Sequence, residues 1–397
     1  MSMTFFILAG EASGDLHAAK LITALKARKP EARFVGMGGD KMVAAGLESA
    51  QNLDGMQVVG FWEVIKKYGF FKTVFYKLLD RVKQERPSAL ICVDYPGFNL
   101  RFAKEVRKLG IPIIYYIMPQ VWAWKPLRAR SMASFVDRTF CVFEFEPPFF
   151  EKYGLKTQFV GHPLLDQPSS QKLELPPGLK TVALLPGSRS SEVNAHFGPM
   201  LAGFEKAYRK MGKMRCLFSL IPKEFKADAI SSRLLCDSSR QSCAYVCNRY
   251  RGVFSGPCSE AEILEADFSG DAPAHATLLP AAADFSVVKS GTSTLEAGLT
   301  GKPLCVVYKS SFVNYAMAHL LVNIPVFSLV NIVLGRYAIP ELLQSDVNPA
   351  RIAHEIERGL TDEKYREQQR AALAELPKKL GGPGASDRAA KGILDFL

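Results

Sequence analysis

Residues 4–15 read Thr4-Phe5-Phe6-Ile7-Leu8-Ala9-Gly10-Glu11-Ala12-Ser13-Gly14-Asp15. The first six are apolar apart from Thr4, the next six are small or acidic, and residues 16–28 place apolar side chains at helical spacing. An apolar run without alternation predicts a strand buried on both faces, and hence a parallel sheet covered by helices. The pattern recurs. Residues 33–35 open a second strand ending in Gly36-Met37-Gly38-Gly39, residues 90–93 and 113–117 are strands flanking a helix over 101–109, and Cys141-Val142-Phe143 is a further strand. The stretch 167–178 is polar, carries Pro168, Pro176 and Pro177, and reads as a linker. Beyond it the pattern restarts, with strands over 181–185, 215–220, 285–288 and 303–308 and helices over 197–211 and from about residue 292. The expected fold is α/β, two Rossmann-like doubly wound domains facing a cleft. One domain is expected over 1–170, a second over 171–345, and a charged helical tail over 346–397.

Composition bounds the function. With 48% hydrophobic and 22% charged residues over 397 positions, most of the chain is expected to be globular. Fifty Lys and Arg against 39 Asp and Glu give a net charge of +11, which favours an anionic partner: nucleic acid, an acidic membrane or phosphorylated substrates. The basic residues are spread out without a recognised nucleic-acid module, so nucleic acid is not expected. No basic segment precedes the first apolar run, which breaks at Gly10-Glu11, so a cytoplasmic protein with its eight cysteines reduced is expected. Cys236, Cys243, Cys247 and Cys258 cluster, but at gaps that match no zinc pattern. Residues 312–335 lack any Asp, Glu, Lys or Arg, yet Asn314, His319, Asn323, Pro325, Ser328 and Asn331 interrupt them. Buried segments are expected there, not a membrane span. Residues 234–277 are left unassigned.

In open parallel sheets ligands bind beyond the carboxyl ends of the strands, so the loops after strands carry the chemistry. Gly10–Asp15 reads either as an anion-accepting loop before a helix or as a tight turn capped by Asp15. Asp94-Tyr95-Pro96-Gly97-Phe98-Asn99 follows an apolar strand, so Asp94 is either a general base with a raised pKa or a turn-forming residue. In Leu185-Pro186-Gly187-Ser188-Arg189 the guanidinium suits phosphate oxygens, with Gly187 and Ser188 adding donors; the alternative is a surface turn. Ser290-Gly291-Thr292-Ser293-Thr294-Leu295-Glu296 offers a helix start to a phosphate and Glu296 to a ribose, or forms a capping box between Ser293 and Glu296. No Asp-x-Asp pair occurs, so no metal and no cofactor are expected, and a diphosphate would be neutralised by Arg189 and helix N-termini.

Together these loops resemble the lipid-A-disaccharide synthase family, inverting glycosyltransferases of the twin-Rossmann, GT-B type. The resemblance rests on Gly10-Glu11-Ala12-Ser13-Gly14-Asp15, Asp94 with Pro96, Phe98 and Asn99, Val121-Trp122-Ala123-Trp124, Phe145-Glu146 and Val160-Gly161-His162-Pro163. It continues through Leu184-Leu185-Pro186-Gly187-Ser188-Arg189 with Glu192-Val193, and Ser290-Gly291-Thr292 with Glu296, in the family's order. It implies transfer of a sugar from UDP-2,3-diacylglucosamine to the 6-hydroxyl of 2,3-diacylglucosamine 1-phosphate, forming a β-1,6 disaccharide and UDP. Asp94 would be the base, Arg189 would stabilise the diphosphate, Glu296 would hold the ribose with Ser290, Gly291, Thr292 and Asn331 nearby, and Glu11, Ser13 and Asp15 would line the acceptor side. Many members carry a second acid where this chain has Gly97. Family dimers with exchanged C-terminal segments leave a homodimer open.

Both implied substrates are phosphorylated amphiphiles of an anionic membrane, so peripheral attachment to the inner face of the inner membrane is expected. Phe61, Ile65, Tyr68, Phe71, Phe75, Leu78 and Val82 recur at helical steps among Lys66, Lys67, Lys72, Lys77 and Arg81. That segment reads as an interfacial helix or as a core-facing one. Lys125, Arg128 and Arg130, next to Trp122 and Trp124, are further candidates to face lipid phosphates. Rival readings are another twin-Rossmann UDP-sugar enzyme, such as a UDP-N-acetylglucosamine 2-epimerase, and a non-catalytic nucleotide-binding module.

Overall fold

The computed structural model describes residues 3–53, 56, 68–124, 126–166, 173–175, 177–218, 245–247, 275–310 and 326–397. The chain divides into two compact units, one built on Met1–Pro168 and Lys379–Leu397, the other on Ser169–Leu320 and Ile324–Lys378. The unassigned residues 234–277 and three of the four clustered cysteines fall almost wholly outside the described residues, as do most of the linker and residues 312–325 of the uncharged run. Among the described residues no helix is long and apolar enough to cross a membrane.

In the first unit the chain runs β1 (Thr4–Ala9), α1 (Ala12–Arg28), β2 (Arg33–Met37), α2 (Asp40–Ala45), β3 (Leu47–Gln51), α3 (Tyr68–Glu85), β4 (Ala89–Val93), α4 (Pro96–Arg107), β5 (Ile113–Tyr116), β6 (Arg138–Cys141) and β7 (Thr157–Phe159). The strands form a parallel sheet in the order β3-β2-β1-β4-β5-β6-β7. Successive side chains of β1 enter opposite layers: Phe5 and Ile7 pack with Leu21 and Leu25 of α1, Phe6 and Leu8 with Phe102 of α4 and Leu78 of α3. Two buried faces explain the unalternating apolar run. The last strand expected in this half lies earlier in the chain, at Arg138–Cys141. β6 ends at Cys141 because the amides of Val142 and Phe143 turn to the carboxylate of Glu146.

The second unit repeats the plan with β8 (Lys180–Leu185), α5 (Ser190–Met211), β9 (Met214–Phe218), β10 (Tyr245–Cys247), α6 (His275–Ala282), β11 (Phe285–Lys289), α7 (Ser293–Leu299), β12 (Leu304–Tyr308), α8 (Leu329–Leu334) and β13 (Glu341–Leu343). Its parallel sheet runs β10-β9-β8-β11-β12-β13. Each sheet therefore reverses direction once, between β1 and β4 and between β8 and β11, and such a reversal opens a crevice at the strand ends.

The C-terminal region corrects the expectation of a separate tail. α9 (Pro349–Thr361) and α10 (Glu363–Leu373) bury Ile352, Ile356, Leu360 and Tyr365 in the second unit's core. α11 (Ala385–Phe396) buries Ala389, Ala390 and Ile393 against α1 in the first. Amphipathic helices of this kind find stability by covering a sheet layer, not by standing alone. Asp166 fixes the return, accepting from the amides of Gly384 (2.7 Å), Ala385 (3.0 Å) and Ser386 (2.9 Å) at the start of α11.

The described part of α3 turns one face to the core, where Val74, Leu78 and Val82 are buried and Phe71 and Phe75 pack beside them. Phe61, Ile65, Lys66 and Lys67 lie outside the described residues.

Candidate active site

At the β1/β4 crevice, Gly10 is a glycine for a visible reason: a Cβ there would fall inside the ring of Tyr95. Asp94 (φ +46°) and Tyr95 (φ +48°) both adopt the left-handed conformation, at a strain of about 1–3 kcal/mol each for such residues. The surroundings over-determine it. The Asp94 amide donates to Tyr116 O (3.1 Å), while its carbonyl accepts from Tyr115 Oη (2.6 Å) and Asn99 Nδ2 (2.8 Å). Tyr95 Oη donates to Met56 O at 2.9 Å. The Asp94 carboxyl is largely buried and lies close enough to Glu11 to feel its charge. Burial, then the neighbouring Glu11 charge, push the Asp94 pKa up to about 6, with the Tyr95 amide opposing. Burial and Glu11 likewise raise Tyr95, to about 12.

Ser13 is exposed in the first turn of α1. Asp15 is not: its Oδ1 accepts from the amides of Gly39 (2.8 Å) and Met42 (3.1 Å) and its Oδ2 from Lys41 (3.2 Å). It caps α2 and not its own helix, and three backbone amides engage its carboxylate.

The aromatic motifs meet beyond β5 and β6. Trp122 Nε1 donates to Glu146 Oε1 (3.0 Å), and Glu146 Oε2 accepts from the Val142 (3.1 Å) and Phe143 (3.0 Å) amides. Burial lifts Glu146 to about 7 against those three bonds. Trp122 stands edge-on to Phe145 at 4.9 Å between centroids. The Gly161-His162 stretch, by contrast, holds the C-terminal return: His162 N donates to Leu380 O (2.8 Å) and Arg388 Nε to Val160 O (2.8 Å).

At the β8/β11 crevice, Gly187 (φ +126°) leaves no room for a side chain, since a Cβ would sit 2.6 Å from Glu192 Oε2. Glu192 gathers this loop, accepting from Ser188 N (3.1 Å), Arg189 Nη1 (3.4 Å) and Lys289 Nζ (2.7 Å). Burial alone would raise its pKa, but these partners hold it below the usual carboxylate value. His196 links the same helix to the end of β12, with Nδ1 2.7 Å from Glu192 O and Nε2 accepting from Lys309 N (2.8 Å). Arg189 itself is half exposed.

Ser290, Gly291 and Thr292 form the neighbouring loop, anchored by Ser290 N to Val307 O (2.9 Å) and Thr294 Oγ1 to Gly291 O (2.7 Å). The capping box does not form: Ser293 Oγ donates backwards to Lys289 O at 3.2 Å. Among the described residues nothing hydrogen-bonds the Glu296 carboxyl, and burial raises it to about 7. Asn331 is held by the scaffold. Its Nδ2 donates to Ile339 O (2.7 Å) and Glu341 Oε1 (2.8 Å) and its Oδ1 accepts from Ala338 N (3.0 Å) and Ile339 N (2.9 Å), which fills its capacity with scaffold bonds.

The expected residues thus gather in two groups, Glu11 with Asp94 and Gly187–Arg189 with Ser290–Glu296, each at one sheet reversal. Asn99, Glu146, Glu192, Lys289 and His196 were given no role by the loop readings. Only the positions of Asn99, Glu146 and Glu192 inside the motifs signalled them.

A sequence model of the lipid-A-disaccharide synthetase family matches residues 5–255 and 268–390. The lipid-A-disaccharide synthase of Anaeromyxobacter dehalogenans (strain 2CP-1) is 37% identical over 98% of this chain and 97% of its own, and that of Syntrophus aciditrophicus (strain SB) 38% identical over 100% and 98%. Among solved structures, the S. aureus MnaA–UDP complex aligns with a TM-score of 0.64 at 12% identity over 100% of this chain and 97% of that one. The calicheamicin glycosyltransferase CalG4 aligns at 0.59 and 15% identity over 100% and 98%. Such distant likenesses carry the fold alone, two Rossmann-like domains. The family match and the relatives, each running almost from end to end, carry more: the chain belongs to the lipid-A-disaccharide synthase family and is a glycosyltransferase that forms the lipid A disaccharide.

Proposed function

We propose that the chain transfers the sugar of UDP-2,3-diacylglucosamine to the 6-hydroxyl of 2,3-diacylglucosamine 1-phosphate in one inverting displacement. The Asp94 carboxylate takes the hydroxyl proton as that oxygen attacks the anomeric carbon of the donor. The bond from that carbon to the diphosphate breaks, and UDP leaves with the electron pair. One displacement needs one base and forms no glycosyl-enzyme. The observation that carries this reading is the Asp94 carboxyl, largely buried just past the end of β4 on a left-handed backbone and raised to about 6 by burial and Glu11. A base of that pKa is ionised at neutral pH yet stronger than an ordinary aspartate.

In this reading the first unit handles the acceptor, with Glu11 and Ser13 beside the base. The second holds the nucleotide: Arg189 and the Gly187, Ser188, Ser290, Gly291 and Thr292 backbone take the diphosphate, and Glu296 accepts from the ribose hydroxyls. Asp15 and Asn331 act only through the scaffold. Exposed Tyr68, Phe70 and Tyr76 on α3, together with Lys72 and Lys77 and a net charge of +11, support attachment to the anionic cytoplasmic face of the inner membrane.

The test is UDP release from the diacyl donor with and without the monosaccharide acceptor, in the presence of a chelator. Release that depends on the acceptor supports the transfer. An epimerase would turn over its UDP-sugar without lipid acceptor, and a nucleotide-binding module would bind UDP without turnover.

A further inference from the structure

Lys289 ends β11, and its side chain is only 15% exposed. Its ammonium lies 2.7 Å from Glu192 Oε1 and 3.7 Å from where a Cβ on Gly291 would stand. One cation thus lies between the Gly187–Arg189 loop, gathered by Glu192, and the Ser290–Thr292 loop. An ammonium has three donors. Among the described residues one of them reaches Glu192 and the other two meet no acceptor. A lysine held in so enclosed a place needs a counter-charge, since an unpaired buried charge is strongly destabilising. Glu192 supplies one, but it also serves Ser188 and Arg189.

We infer that Lys289 binds the diphosphate of the nucleotide, with Glu192 as the counter-ion that holds the ammonium in place before the nucleotide arrives. The inference rests on the proposed placing of the diphosphate between these loops. It assigns a second cation besides Arg189, and a more enclosed one: 49% of the Arg189 side chain is exposed against 15% for Lys289. The formal charge of Arg189, Lys289 and Glu192 together is positive before the ligand binds, and a diphosphate would complete the two open donors of Lys289. Glu192 is then a positioning residue that fixes both the lysine and the Ser188 amide.

The experiment compares UDP with uridine, which has the same base and ribose but no phosphate, by calorimetric titration of the full chain. Lys289→Gln keeps a donor for Glu192 while removing the charge. It is expected to weaken UDP binding by about tenfold, the loss of one charge-assisted contact, and to leave uridine affinity unchanged. Lys289→Arg is expected to recover most of the UDP affinity. A parallel loss for UDP and uridine, or an unchanged UDP affinity in Lys289→Gln, overturns the inference and leaves Lys289 as a strut between loops. Failure of the unaltered protein to bind UDP would instead overturn the nucleotide-site reading beneath it.

Discussion

The side-chain amide of Asn99, fully buried, reaches the carbonyl oxygen of Asp94 at 2.8 Å and that of Val93 at 3.3 Å. It therefore grips the backbone at the point where β4 turns into two consecutive left-handed residues. Asn99→Ala should leave those carbonyls short of a donor and let the bend relax. The expected result is a loss of about 1–3 kcal/mol in urea unfolding and a fall in kcat, with UDP affinity unchanged because the loops proposed to hold the nucleotide belong to the other unit.

Asp94 gives a pH signature of definite sign. Its folded pKa of about 6 lies above the ordinary carboxylate value of 3.8, so the proton is bound more tightly in the folded chain. Its contribution to stability is present below pH 3.8 and is lost as the pH rises through 6. Turnover runs the other way and should fall below pH 6, because the base is then protonated. Glu11→Gln should move that inflection to lower pH, since it removes the like charge that helps to raise Asp94. An inflection that stays in place would mean that burial alone sets it.

Glu146 satisfies Trp122 Nε1 and two backbone amides from a fully buried position. Glu146→Leu should leave all three donors without a partner and destabilise the first unit by about 2–5 kcal/mol. Chemical denaturation followed by tryptophan fluorescence would measure this, with Trp122 reporting locally.

Gly187→Ala would place a methyl group within 2.6 Å of Glu192 Oε2 in a backbone conformation that disfavours side chains. The expected outcome is weaker UDP binding with the fold retained, as read by titration and by circular dichroism. Arg189→Ala should lower UDP affinity and turnover together, and turnover lost with UDP affinity intact would count against its diphosphate role.

The strands were legible because burial on two faces leaves a sequence mark, as the Thr4–Ala9 run does, and the two loop groups followed from the rule that ligands gather at strand ends. What residue type could not convey was which polar groups the scaffold already engages. Asp15 and Asn331 were singled out by residue type, but Asp15 bonds the backbone amides at the start of α2, and Asn331 bonds the backbone of Ala338 and Ile339 and the Glu341 carboxylate. Lys289 escaped for the opposite reason, since a lysine closing a strand of Phe285-Ser286-Val287-Val288 looks like the strand's solvent end until Glu192 is placed beside it. The return of α11 to the first unit was equally hidden, because it depends on Asp166 meeting residues more than two hundred positions away.

Asp94→Asn tests the central claim most directly, because asparagine tolerates the left-handed backbone and differs from aspartate in little but its inability to take a proton. Acceptor-dependent turnover and UDP affinity should be measured on the same preparation. The account predicts a fall in turnover of about two to four orders of magnitude, the usual worth of a general base, with UDP binding close to that of the unaltered protein. Turnover that survives the substitution, or that falls only in step with UDP affinity, would contradict the assignment of Asp94 as the base.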